Sequence, residues 1–100
     1  MRISVVFSGN LISPHYGCSE GIKIYNIDEF GNITKFKTIM NAGIKGREIA
    51  SLLSYYNVET VIVDGIGENA KQNLQKYNIR VIEGISGNIL QAIEKLISNY

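Results

Sequence analysis

Short apolar runs alternate with polar, glycine-bearing breaks along the chain, and their internal spacing changes from strand-like to helix-like partway through. Residues 3–7, Ile-Ser-Val-Val-Phe, form a β-branched and aromatic run ended by Ser8-Gly9-Asn10, the pattern of a buried strand running into a loop. Residues 21–27 and 33–39 flank Asp28-Glu29-Phe30-Gly31-Asn32, which predicts a β-hairpin. Beyond Gly43, Ile49, Leu52, Leu53 and Tyr56 recur at helical spacing, while Lys45, Arg47, Glu48 and Ser51 fall on the other face. Residues 58–63 read as the next strand and stop at Asp64-Gly65-Ile66-Gly67; a second helix then places Ala70, Leu74 and Tyr77 on one face. Residues 79–82 give a fifth strand. A glycine-bearing turn at 83–87 offers Ser86 as N-cap to a third helix striped by Ile89, Ile93, Leu96, Ile97 and Tyr100. The expected order is βββαβαβα.

Strands alternating with helices in the second half predict parallel pairing through right-handed crossovers. If the first three strands form an antiparallel meander, the loops at 8–20, 40–46, 64–68 and 83–87 leave one edge of the sheet, at carboxyl ends of strands, where open α/β sheets bind ligands. With 100 residues, 45% of them hydrophobic, the chain suits a single domain over residues 1–100. Ten Lys+Arg against nine Asp+Glu leave a formal charge of +1, spread from Arg2 to Lys95 without a block, so no nucleic-acid footprint is expected. No stretch approaches the roughly 18 apolar residues of a membrane span, and residues 2–9 are too short an apolar run for a signal peptide. A soluble cytoplasmic protein is expected, a reading that suits its lone cysteine; the oligomeric state is left open.

The chemistry concentrates in Ser13-Pro14-His15-Tyr16-Gly17-Cys18, which holds the only proline, histidine and cysteine of the chain. Imidazole and thiolate are good ligands for borderline and soft metals, and Pro14 stiffens the loop that carries them. The bland alternatives are a loop histidine bonded to backbone and a cysteine packed as a small hydrophobe. A four-ligand structural zinc site is disfavoured by counting; Glu20, Asp64 and Glu83 could approach the crevice, but acidic loop residues are usually solvated or capping. A preassembled iron–sulfur cluster needs fewer protein ligands, so His15 with Cys18 or Met40 suits it better. Gly65-Ile66-Gly67 leads from strand to helix and could offer backbone N–H groups to an anion; equally, the glycines could serve only a tight turn. Ala70 stands where a dinucleotide fingerprint would have its third glycine. There is no Gly-x-Ser-x-Gly elbow, Walker loop or paired helical carboxylates, and a non-enzymatic protein is expected.

Ser13-Pro14-His15-Tyr16-Gly17 is similar to the Ser-x-His-Phe-Gly signature of the dinitrogenase iron–molybdenum cofactor biosynthesis (NifX-like) family. Glu20 to Tyr25, the stretch from Val61 to Ala70 and Tyr77 to Val81 resemble that family's later segments in the same order. Tyr16 departs from the family's Phe at a packing position. The resemblance implies a ribonuclease H-like three-layer α/β/α fold with a five-stranded mixed sheet. It also implies a carrier of iron–sulfur or iron–molybdenum type clusters, with His15 serving the cluster and metallocofactor assembly proteins as donors or acceptors. The resemblance carries the ligand role to His15 alone; with Cys18 as the second candidate ligand and Gly65, Ile66 and Gly67 contacting the cargo, both read from the residues themselves, the expected site is complete. A metal-free small-molecule or anion-binding regulatory module is the alternative, and a stand-alone interaction domain a third.

Overall fold

The computed structural model describes residues 1–17, 19–40 and 46–98, and in them the apolar runs become strands of one mixed sheet with helices on both faces. The central strand is β1 (Arg2–Ser8). On one side it pairs antiparallel with β3 (Gly21–Ile27), which pairs antiparallel with β4 (Ile33–Met40); on the other it pairs parallel with β5 (Thr60–Ile62), which pairs parallel with β6 (Arg80–Ile82). Strand β2 (Leu11–Ile12) folds back on the end of β1, with Phe7 opposite Ile12 and Ser8 opposite Leu11. The sheet order β4-β3-β1-β5-β6 bears out the expected meander and parallel half. The helices are α1 (Gly46–Tyr55), α2 (Glu68–Lys76) and α3 (Ile89–Ser98).

Three expectations are corrected. Among the described residues the sheet has six strands rather than five, and the order is ββββαβαβα, because the Leu11–Ile12 strand closes a tight hairpin over Gly9, whose φ of 64° suits glycine. Two residues are too few to show any periodicity. The cap of α3 is Asn88 rather than Ser86: its side-chain oxygen accepts the Gln91 N–H at 3.2 Å. Tyr77 also leaves the expected stripe of α2; it follows the helix as its C-cap and is exposed.

Alternation along β1 supplies both halves of the core. Ile3, Val5 and Phe7 face α3, joining Tyr25, Ile27, Ile62, Ile89 and Ile93. Val6 faces the other way, toward Ile22, Ile24, Val61 and Val63, beneath Ile49, Ala50 and Leu53 of α1 and Leu74 of α2. Alternation along β3 does the same, sending Ile22 and Ile24 to one cluster and Tyr25 and Ile27 to the other, while the pairing of β3 with β4 shifts register at Ile24/Tyr25, where Phe36 is the extra residue of β4. At the far end of the β3–β4 hairpin, the Asp28 carboxylate accepts N–H bonds from Asn32 at 2.8 Å and Phe30 at 2.9 Å, and these bonds hold its carboxyl below the usual carboxylate range.

Leu53 is fully buried where α1 meets the sheet. Leu53→Ala is expected to cost about 2–5 kcal/mol of unfolding free energy, measured by urea denaturation, with the spread set by how far the cavity collapses.

Candidate functional site

The loop after β2 is tied to the loop after β5 by backbone bonds in both directions. Tyr16 N–H donates to Gly65 O at 3.0 Å, and Gly65 N–H donates to Pro14 O at 3.2 Å, a one-residue parallel bridge between His15 and Gly65. Ser13 sets the loop's start: its N–H donates to Val6 O at 2.9 Å, while its Oγ donates to His15 O at 3.0 Å and accepts the His15 N–H at 3.3 Å. Pro14, which can donate no N–H, leaves its carbonyl for Gly65. The result presents the His15 imidazole outward on a short stretch held at several points.

Tyr16 anchors that stretch from below. Its ring packs in the cluster containing Val6, Ile22 and Val63, it is 3% exposed, and burial pushes its phenol well above the ordinary tyrosine range. Among the described residues its hydroxyl has no hydrogen-bond partner. Phenylalanine would fill the same space without that penalty.

Above Tyr16 lies an open cleft of about 380 Å³ lined by His15, Tyr16, Gly17, Gly65, Ile66, Gly67 and Ala70. The structure therefore brings together four of the five residues expected at the site. The fifth, Cys18, lies outside the described residues. Gly67 is the N-cap of α2 in extended conformation and contributes no side-chain cap, so the first N–H groups of the helix and its positive dipole end open toward the cleft. Among the described residues the N–H groups of Ile66 and Gly67 meet no acceptor.

Several expectations change here. The Gly65 N–H is spent on Pro14 O, so Gly65 holds the loop in place rather than donating to a ligand. A Cβ on Gly65 would sit 2.8 Å from that same oxygen, so the close approach of the two loops demands glycine. Gly67 has open space around its Cα, so its lack of a side chain keeps the helix end accessible. Glu83 is turned to the Lys71 ammonium, which it keeps protonated beyond the usual lysine range. Glu20, Asp64 and Met40 do not line the cleft; Met40 is exposed at the end of β4. Among the described residues no three His, Cys, Asp or Glu side chains gather as a metal site. Two residues that the sequence showed only as parts of motifs take part in the site: Ser13, first of the Ser-x-His pattern, organises the loop with its hydroxyl, and Ala70, which stands where a fingerprint would have its third glycine, forms the cleft's helical wall.

Two substitutions test this anatomy. Tyr16→Phe is expected to stabilise the fold by about 1 kcal/mol in urea denaturation, since it removes a buried hydroxyl that lacks a partner. Gly65→Ala is expected to cost about 1–3 kcal/mol and to shift the His15 ring resonances, because Pro14 O must move away from the new methyl group.

The profile of the family described as dinitrogenase iron–molybdenum cofactor matches residues 1–99. No curated protein matches the sequence. Among solved structures, the apo form of the orange protein from Desulfovibrio gigas superposes with a TM-score of 0.82 at 20% identity, covering 98% of this chain and 88% of that one. A Methanocaldococcus jannaschii protein provisionally identified as a dinitrogenase gives 0.81 at 19%, covering 99% and 89%. A more distant likeness, to the Holliday junction resolvase of fowlpox virus, gives 0.52 at 18%, covering 83% of this chain and 61% of that one. At these identities the structural likenesses speak for the fold.

Proposed function

Because the chain belongs to the dinitrogenase iron–molybdenum cofactor family, we propose that it serves metallocofactor biosynthesis as a non-enzymatic carrier of a preassembled iron–sulfur or iron–molybdenum type cluster. We read its sheet as a ribonuclease H-like arrangement with an added two-residue strand, β2, that delivers the loop carrying His15. The observation that carries the functional reading is the placement of an exposed imidazole beside an uncapped helix N-terminus, on a loop locked to Gly65.

A bare metal ion needs several protein donors, and the described residues offer one nitrogen in the cleft. A cluster brings its own bridging sulfides and makes smaller demands. His15 would supply one ligand bond, Ile66 and Gly67 would donate N–H bonds to sulfide or other anionic atoms, and the positive end of α2 would offset negative charge. Cys18, three positions after His15, is the candidate second ligand. A cargo held by one or two bonds in an open cleft can be passed on, which suits exchange with cofactor assembly proteins that donate or accept it. Because only the neutral imidazole can ligate, acid favours release.

The test is to purify the protein without oxygen, add a preformed iron–sulfur cluster, and compare bound metal and visible absorption for the wild type, His15→Ala and Cys18→Ala. Stoichiometric binding by the wild type, weakened at least about tenfold in His15→Ala, is expected, since one metal–ligand bond is a large share of so small a donor set. Absence of binding by the folded wild type overturns the carrier reading. The free N–H groups at Ile66 and Gly67 favour a second reading, a metal-free anion-binding module; a phosphate-dependent rise in melting temperature without cluster binding would select it.

A further inference from the structure

A second cavity lies on the opposite face of the sheet from His15, between the β6–α3 turn and the side of α3, with a volume of about 430 Å³. Its inner wall is apolar: Ile62 comes from β5, Ile82 from β6 and Ile85 from the turn, facing Ala92 and Leu96 of α3. Its rim is polar, with Ser86, Gln91 and Lys95. Among the described residues Lys95 is the only charged one lining it, and no ion pair engages its ammonium. The nearest acid of the turn, Glu83, is already paired with Lys71.

The walls are firmly placed. Ile85 N–H donates to Val63 O at 3.1 Å and Gly84 N–H donates to Asp64 O at 3.0 Å, so the turn is fastened to the end of β5. Gly84 and Gly87 take φ of 75° and 97°, which bends the chain around the cavity mouth. Asn88 and the Asn10 carbonyl occupy N–H groups of Gln91 and Ile89 at the start of α3, so that helix end has little left for an anion and the positive charge at the mouth belongs to Lys95.

An apolar trough with one cation at its rim, unpaired among the described residues, matches one ligand chemistry. We propose that this cavity binds a small amphiphilic monocarboxylate, its hydrocarbon body against Ile82, Ile85, Ala92 and Leu96 and its carboxylate at Lys95 with Ser86 and Gln91. The volume is at the small end of the range for ligand pockets, which suits a short-chain acid rather than a long lipid or a nucleotide. The absence of a second cation among the lining residues argues against phosphate esters of higher charge. The site is separate from the His15 cleft and does not depend on cluster binding.

The test is a titration of the ¹⁵N-labelled full chain with octanoate, following backbone amide shifts, with octylamine, octanol and acetate as comparison probes. Saturable shifts centred on Gly87, Gln91 and Lys95 are expected for octanoate, with weaker binding of the other three. Lys95→Gln, an exchange at an exposed position, is expected to raise the octanoate Kd on the order of tenfold, and Ala92→Leu, which fills the trough, to abolish the shifts. The proposal is overturned if octanoate gives no saturable shift, if Lys95→Gln binds it as well as the wild type, if octylamine binds equally, or if the shifts centre on His15 and Gly65.

Discussion

Everything in this protein is arranged around the central strand β1, which is hydrogen-bonded on both sides and covered on both faces. A strand in that position cannot leave a backbone polar group unpaired or a large side chain exposed without cost. Its residues 3–7 are accordingly all buried, and their alternation divides the core into one half under α1 and α2 and another under α3. The single polar residue among them, Ser4, keeps a hydroxyl without a partner among the described residues, a small penalty carried in an otherwise apolar strand.

Because β1 has an antiparallel neighbour on one side and a parallel one on the other, the chain ends of β1, β4, β5 and β6 come out at one edge. The short hairpin to β2 then carries the loop of residues 13–17 across to Gly65, and two backbone bonds hold it there. The histidine of this loop and the N-terminus of α2 are far apart in the sequence, and they become neighbours only because β1 and β5 are adjacent. The site is thus a product of sheet order, with glycine at 65 permitting the close approach and glycine at 67 leaving the helix end open.

Tyr16 links stability to that site. Its ring is part of the core under α1 and α2, and its backbone is half of the bridge that positions His15. Packing in the interior therefore fixes where the imidazole stands at the surface. The two cavities share the end of β5, with Ile62 lining one and Gly65 the other, while facing opposite sides of the sheet.

Much of this was legible in the residues themselves. The apolar run of residues 3–7, the alternation in 21–27 and the 3.6-residue stripes of Ile49, Leu53 and of Ile89, Ile93 determined the larger strands and the helices, because burial of one or both faces is a local demand on the pattern. The scarcity of proline, histidine and cysteine marked the loop that carries the site. What the tertiary structure alone decided was pairing and access. A strand of two residues, Leu11–Ile12, has no period to read, the cap at Asn88 lies only two positions from the equally plausible Ser86, and the partner of the Gly65 N–H is a carbonyl some fifty residues away. Whether a glycine N–H is free for a ligand or consumed by a neighbouring loop depends on which segments the sheet makes adjacent, and that is a long-range property no local pattern encodes.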